Sequence, residues 1–511
     1  MPRIPYRFPA KGEDAVADRI RERRGARGLT SLDGTLLNAP MVADGWNTFI
    51  GTLRQRNSLP DDVREILILR VAAVNRAAFE WVHHEHVGRH AGLSYEQLSI
   101  VGSPAPNDRA QPFQPSRYLY RRRTLPTSTG GPEIRRRIDS PDLELERNPG
   151  QTGPPGSGPV TVERQLLEAT TTVGAYNMVS RLLVALDVDD KSEMTTPIPV
   201  VAKVQVGSPE ESLHAVYVPS AEPTTKTIIL VNSLMTNYKM WRHVWDRLAK
   251  SYNVIMYDQR GHGGSFTPTT KCKLEELADD VVKVLEHFHV EKAHAVIGVS
   301  QGGATTLNVA LKYPEIAHKF ISCDTQAKSP EANTKAWDDR IALARAQGMA
   351  ALAEATIPRW FANDSLDLER DGKWLHDGVV STPVDGFASS AGALQGYDLL
   401  SKGLVDALAK RGEGQVLLVA GEYDGALPKG LQALADEVNS SKANTVQVEV
   451  IPGGGHLPMV NRATEWTDKV LEFVKELKVT RQSAVRGAIA VIPGCMGGVR
   501  RRETVHFIAY E

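Results

Sequence analysis

A chain of 511 residues exceeds what one ordinary hydrophobic core holds, so two or more domains are expected. Its 60 Lys+Arg against 61 Asp+Glu leave a net charge near zero, which gives no electrostatic reason to expect nucleic acid or an anionic membrane as partner. Cys272, Cys323 and Cys495 are too few and too widely spaced for a disulfide framework, and no apolar run approaches roughly 18 residues, so a soluble cytoplasmic protein is expected.

Residues 58–101 read as helical. Ser58-Leu59-Pro60-Asp61-Asp62 places proline and acids where a first turn tolerates them, and the apolar run 63–74 follows. A second helical stretch closes at Gly92, and Ser94-Tyr95-Glu96-Gln97 reads as a capping box opening a third. Inside the second, FEWVHHEHVGRH puts His83, His84, His86 and His90 within eight residues. Metal is not expected there. The H-E-x-x-H spacing is absent, and His86 and His90, which could share a face, have no carboxylate or cysteine cluster to complete a shell. His83, His86 and His90 read as a solvated face. Glu80 and His84, also four apart, fall close in register to the apolar stripe.

Composition changes after Gly102. Residues 103–159 hold eleven of the thirty prolines, Arg triplets at 121–123 and 135–137, and no hydrophobic period. A disordered Pro/Arg-rich insert is expected, a solvated linker rather than a nucleic-acid arm. It fits either a tolerated loop or an unspliced intron. Helix resumes over 162–186, where Leu166, Ala169, Val173, Tyr176 and Asn177 fall at spacings of three and four.

From about 196 the pattern switches. Apolar strands at 227–231, 254–257, 293–299, 415–420 and 446–451 alternate with helical segments, the mark of a mostly parallel sheet wrapped by helices. Between about 330 and 410 the alternation lapses into helix-like sequence, expected to sit over the sheet as a lid. The tail 478–511 matches neither pattern.

Gly298-Val299-Ser300-Gln301-Gly302-Gly303 follows a strand and opens a helix. In that setting G-x-S-x-G is a nucleophile elbow, whose glycines permit the sharp turn that lifts a serine hydroxyl above the sheet. Serine needs a base, and the base an orienting acid, in the order Ser, acid, His. Asp424 follows the strand 415–420 and His456 follows 446–451, so Ser300, Asp424 and His456 are expected at strand carboxyl ends along one edge. Glu422 is the rival acid. The oxyanion formed in acyl transfer needs backbone donors. The N–H of Gln301 is one, and that of Leu234, in the loop Asn232-Ser233-Leu234-Met235, is taken as the other.

NSLMTNYKMW (232–241), YDQRGHGGS (257–265), GVSQGG (298–303), AGEYDGALP (420–428) and GGGHLP (453–458) together resemble 3-oxoadipate enol-lactonases, α/β-hydrolases of the β-ketoadipate route for aromatic catabolism. The resemblance covers about 196–477. It implies hydrolysis of a small enol-lactone through an acyl-enzyme, without a cofactor. It also implies a carboxylate on the substrate, for which Lys328 and Arg359, with Trp360 packing on the ring, are candidates; both cations also read as ordinary surface charges.

The order REILILRVAAVN…FEWVHH…GRHAGLS, with VGAYNMVSRLLVAL after the insert, resembles the carboxymuconolactone decarboxylase family, implying an all-helical domain over 30–190. In that family's peroxidase branch a Glu precedes C-x-x-C and a His. Aligned on His84, the Glu is Glu65 and the cysteine positions hold Ala77 and Glu80, so thiol chemistry is excluded. The decarboxylase branch implies His84 as a positioned acid, oriented by Glu80 or Glu65. The product of such a decarboxylation is the enol-lactone that the second domain opens. Three alternatives remain: another small ester or lactone as substrate, with the helical domain an inactive homo-oligomerisation module; epoxide or haloalkane chemistry, which needs a carboxylate where Ser300 stands; and a non-enzymatic binding protein on a degenerate hydrolase scaffold.

Overall fold

A computed structural model describes residues 1–103, 160–361, 365–442 and 444–475; the expected insert beyond Ser103 and the tail 478–511 lie outside the described residues. Ahead of the first strand the described chain is helical, in α1 (Ala15–Arg24), α2 (Ser31–Leu36), α3 (Pro40–Gln55), α4 (Asp61–Val74), α5 (Ala78–His90), α6 (Tyr95–Gly102) and α7 (Val162–Ala185). Local chemistry sets the ends. Gln97 N–H donates to Ser94 Oγ at 3.3 Å and Ser94 N–H to Gln97 Oε1 at 2.8 Å, a reciprocal cap on α6. Gly92, just past α5, has φ +100°, a conformation that glycine adopts without steric penalty. Helix α4 is buried without a break from Glu65 to Ala72 and packs against α5, α6 and α7. The structure adds α1 ahead of residue 30. Its sequence AVADRIRERR buries only Ala17 and Ile20, too few apolar positions to raise a period.

The second half is one sheet of eight strands: β1 (Val200–Gln205), β2 (Ser212–Val218), β3 (Thr227–Val231), β4 (Asn253–Tyr257), β5 (Ala293–Val299), β6 (Ala317–Cys323), β7 (Val416–Gly421) and β8 (Val446–Ile451). Their order is β1-β2-β4-β3-β5-β6-β7-β8, antiparallel from β1 through β2 to β4 and parallel from there on. Every residue of β3, β4, β5 and β7 is buried, as expected of parallel strands covered on both faces. The covering helices include α8 (Leu274–His287), α9 (Gln301–Lys312), α10 (Glu331–Trp360), α11 (Lys373–Val380), α12 (Val384–Ala391), α13 (Leu404–Ala409), α14 (Leu427–Ser441) and α15 (Ala463–Val474). Helix α10 is broken at Gly348, where φ is +82°.

One apolar cluster runs through both halves: Leu69, Trp81, Tyr95 and Leu98 of the helical domain join Val216, Tyr238, Trp241 and Trp245 of the hydrolase half. Among the described residues no helix is long and apolar enough to cross a membrane.

Candidate functional site

Strand β5 ends at Val299 and α9 begins at Gln301, so Ser300 alone makes the turn, at φ 57° and ψ −116°. The flanking glycines are sterically required. A Cβ on Gly298 would lie 2.0 Å from the carbonyl oxygen of Gly302, and one on Gly302 would lie 2.1 Å from that of Val231. The Ser300 N–H donates to the Cys323 carbonyl at 2.8 Å, tying the elbow to β6. Strained backbone of this kind persists only where the surroundings over-determine it.

Two further strand ends bring a base and an acid to this serine. His456 Nε2 lies 2.9 Å from Ser300 Oγ, and His456 Nδ1 lies 2.7 Å from Asp424 Oδ2. The Asp424 carboxylate is an obligate acceptor, so Nδ1 carries the proton and Nε2 is left to accept from the serine. The His456 backbone N–H donates to the Trp360 carbonyl at 2.7 Å, and the two rings stack 6.3 Å apart. Glu422 points elsewhere: it is exposed and accepts from the N–H of Gly453 at 2.8 Å.

Leu234 lines the same cavity as Ser300, and among the described residues neither its N–H nor that of Gln301 has an acceptor. The next residue, Met235, sits at φ 64°, and its N–H is taken by His262 Nε2 at 2.9 Å. Burial pushes the His262 imidazole down to about 4, which keeps it neutral and able to accept.

The cavity measures about 310 Å³, and α10 forms much of its wall through Trp337, Arg340, Arg359 and Trp360. Arg359 and Trp360 therefore line the same cavity as Ser300. Lys328 does not. It is absent from the cavity lining, largely exposed, and paired with Asp398 at 2.8 Å, because the two residues form a short antiparallel bridge. The cation that sequence reasoning missed is Arg340. It lies 4.5 Å over the Trp337 ring and has no ion-pair partner among the described residues. Burial, and then the charge of Arg359, lower its affinity for its own proton, a penalty that a bound anion would relieve.

A second missed residue is Asp324, at the carboxyl end of β6. Its Oδ1 accepts from the N–H of Gly421 at 2.7 Å, while Oδ2 is buried without a hydrogen bond among the described residues. Burial, and then the neighbouring Asp424, push this carboxyl well above its ordinary range, which favours its protonated form. The signal was present: an acid just past a strand end, the same cue that singles out Asp424.

The helical domain gathers a separate buried group. His84 Nδ1 lies 2.7 Å from Glu65 Oε2, and Tyr176 Oη lies 3.4 Å from His84 Nε2. Glu65, not Glu80, is thus the carboxylate that meets His84. Glu80 is buried, with Ser180 as its polar neighbour, and burial raises its carboxyl well above the ordinary range. Burial also lowers the His84 imidazole, against the pull of Glu65. His83, His86 and His90 are exposed. Among the described residues no group of three or more His, Cys, Asp or Glu side chains is arranged to hold a metal ion.

A family model for the α/β hydrolase fold matches residues 226–463, and one for the carboxymuconolactone decarboxylase family matches 40–105. The 3-oxoadipate enol-lactonase 2 of Acinetobacter baylyi is 34% identical over 201 residues, covering 39% of this chain and 71% of that protein. The 3-oxoadipate enol-lactonase 1 of the same organism is 32% identical over 178 residues, covering 34% and 65%. The crystal structure of an enol-lactonase from Burkholderia xenovorans LB400 is 27% identical, with a TM-score of 0.46, covering 54% of this chain and all of that one.

Proposed function

Since the chain belongs to the 3-oxoadipate enol-lactonase family of α/β-hydrolases, fused to a domain of the carboxymuconolactone decarboxylase family, we propose that it opens a carboxylate-bearing enol-lactone, 3-oxoadipate enol-lactone by family, through Ser300, His456 and Asp424. The observation that carries this reading is the Ser300–His456–Asp424 line in the lining of a cavity that Arg340 and Arg359 also line.

Ser300 Oγ attacks the lactone carbonyl as His456 Nε2 takes its proton, and the oxyanion is received by the N–H groups of Leu234 and Gln301. Collapse breaks the ring C–O bond. The leaving oxygen is an enol, a better leaving group than an alkoxide, and it takes the proton from His456 before relaxing to the ketone. Water, activated by the same imidazole, then releases the acyl group as a second carboxylate. Arg340 and Arg359 would hold the carboxylate already on the substrate, in the forked geometry that guanidinium offers.

The helical domain is proposed to make this substrate by decarboxylating a carboxymuconolactone. The electron pair of the broken C–CO₂ bond passes into the conjugated lactone, and a proton is then returned to carbon. His84, oriented by Glu65, is the proposed carrier of that proton.

One variant separates the two steps. Ser300→Ala is expected to lose on the order of 10⁴-fold in lactone hydrolysis, while carboxymuconolactone still releases CO₂ and enol-lactone accumulates. Near-normal hydrolysis by folded Ser300→Ala would refute the serine mechanism. Absence of CO₂ release, from the variant and the parent chain alike, would refute the decarboxylase half.

A further inference from the structure

The hydrolase surface that meets the helical domain includes the outer side of the loop that carries Leu234. From within, this loop is pinned by β4 and the residues after it. Gln259 Nε2 donates to the Asn232 carbonyl at 2.6 Å, Met235 N–H to His262, and Tyr238 N–H to Asp258 Oδ1 at 2.7 Å. From without, it is pinned by the other domain. Tyr238 Oη donates to Glu96 Oε1, on α6, at 2.9 Å. His214 lies between the two carboxylates at ion-pair distances, without a hydrogen bond from its Nδ1: its Nε2 is 3.5 Å from Glu96 Oε1 and its Nδ1 is 3.2 Å from Asp258 Oδ2. Glu96 and Asp258 are therefore linked twice, through Tyr238 and through His214.

The surrounding packing is continuous with this link. Tyr95 meets Trp245 edge to face at 5.0 Å, Trp245 stacks near Tyr238 at 6.3 Å, and Arg89 of α5 pairs with Asp246 at 2.6 Å. Glu96 lies in the first turn of α6, where the helix dipole favours a carboxylate.

We infer that the helical domain buttresses the oxyanion loop: Glu96, acting through Tyr238 and through the His214–Asp258 pair, holds the loop 232–241 in the conformation that presents the Leu234 N–H to the reacting carbonyl. The inference rests on the proposed roles of Ser300 and Leu234. Glu96, Tyr238 and His214 are positioning residues, since none of them lines the cavity. Their charge states suit the task. Burial lowers His214, but Asp258 and Glu96 outweigh it and raise the imidazole to about 9, which favours its charged form at neutral pH. Burial likewise raises the Glu96 carboxyl, and the groups around it, His214 first, more than reverse this. The fused domain thereby acquires a role in hydrolysis whether or not it has chemistry of its own.

The test uses the full chain with p-nitrophenyl acetate, a small neutral ester. Glu96→Ala is expected to lower kcat about tenfold with KM within about twofold, because a misplaced oxyanion donor is felt in the transition state rather than in binding. Tyr238→Phe, which removes one oxygen and keeps the ring, should show the same split if Glu96→Ala does not fold. Glu96→Gln still accepts from Tyr238 and should recover most of the loss. The double variant Glu96→Ala/Tyr238→Phe should fall no further than Glu96→Ala alone, since that change already removes the link that Tyr238 makes. Folded single variants with parental kcat would overturn the buttress while leaving the serine mechanism intact. Retained turnover in Ser300→Ala would instead overturn the reading on which the buttress rests.

Discussion

At the scale of single residues, the site divides by how much of its chemistry is local. Ser300, Asp424 and His456 each follow an apolar strand and sit in a glycine-bearing turn, so type and placement can be read one residue at a time. Lys328 and Arg340 cannot be read this way. Lys328 precedes a lid and looks free until the chain returns to set Asp398 beside it, whereas Arg340 looks like one of many helix-surface cations until α10 turns it into the cavity. Asp324 illustrates a third case, in which the residue is visible but its protonation is not. With burial favouring its protonated form, it should be replaceable by its isostere. Asp324→Asn is expected to keep kcat/KM within about threefold, while Asp324→Leu, which strands the Gly421 N–H and the space behind Asp424, should lose about tenfold or more. The stability consequence has a definite sign. A carboxyl whose folded pKa is raised keeps its proton in the native state after the unfolded chain has released it, so the parent chain loses stability as pH rises above about 4. Asp324→Asn escapes that loss. Thermal melts should coincide near pH 4 and separate in favour of the variant at pH 8; a variant that melts lower at pH 8 would mean that Asp324 is ionised.

At the scale of elements, alternation exposed the parallel strands, and the lapse in alternation exposed the helical stretch over them. Strand ends came out within a residue or so because β3, β5 and β8 are bounded by polar residues or proline. Helix α1 and strands β1 and β2 were less legible. Helix α1 buries two residues, and β1 lies at the sheet edge, where only Val204 of six residues is buried, so its pattern carries little contrast. Helix α10 was legible as a helix but not in its rotation, because its break at Gly348 resets which face points down. Under the proposed function, that rotation sets which cation meets the substrate's carboxylate. Arg340 supplies the cavity's less exposed guanidinium, and a hydrogen bond to a charged group contributes about 1.5–3 kcal/mol, equivalent to roughly 10–100-fold in affinity. Arg340→Ala should therefore raise KM for a carboxylate-bearing lactone by about that factor. It should leave p-nitrophenyl acetate turnover within about twofold, because the neutral ester has nothing to place there. Equal losses on both substrates would assign Arg340 to the lid's packing instead of to anion recognition.

At the scale of the molecule, the two families named by the sequence suggest two domains joined by a linker, yet the described chain packs as more than that. Tyr95 and Trp81 of the helical half share a core with Trp245, Tyr238 and Val216 of the hydrolase half, and the mostly buried Arg89 pairs with the part-exposed Asp246 across the same boundary. No sequence period reports such a contact, because an apolar residue on a helix face reads the same whether its neighbour lies in its own domain or in the next. A shared core has a thermodynamic signature. Domains that meet only through a flexible link unfold separately, whereas domains that bury large aromatic side chains against each other lose both cores together. Far-UV circular dichroism and Ser300-dependent esterase activity should therefore be lost in one transition with a common midpoint. Tyr95→Ala removes a ring that is 2% exposed and packed on Trp245, a class of change that costs about 3–5 kcal/mol. It is expected to lower that common midpoint by several degrees if the halves are coupled, and to leave the esterase midpoint in place if they are not. The variant also bears on activity below the transition. With Trp245 released from Tyr95, the loop that reaches back to Leu234 loses part of its outer support, so kcat should drop before the fold does.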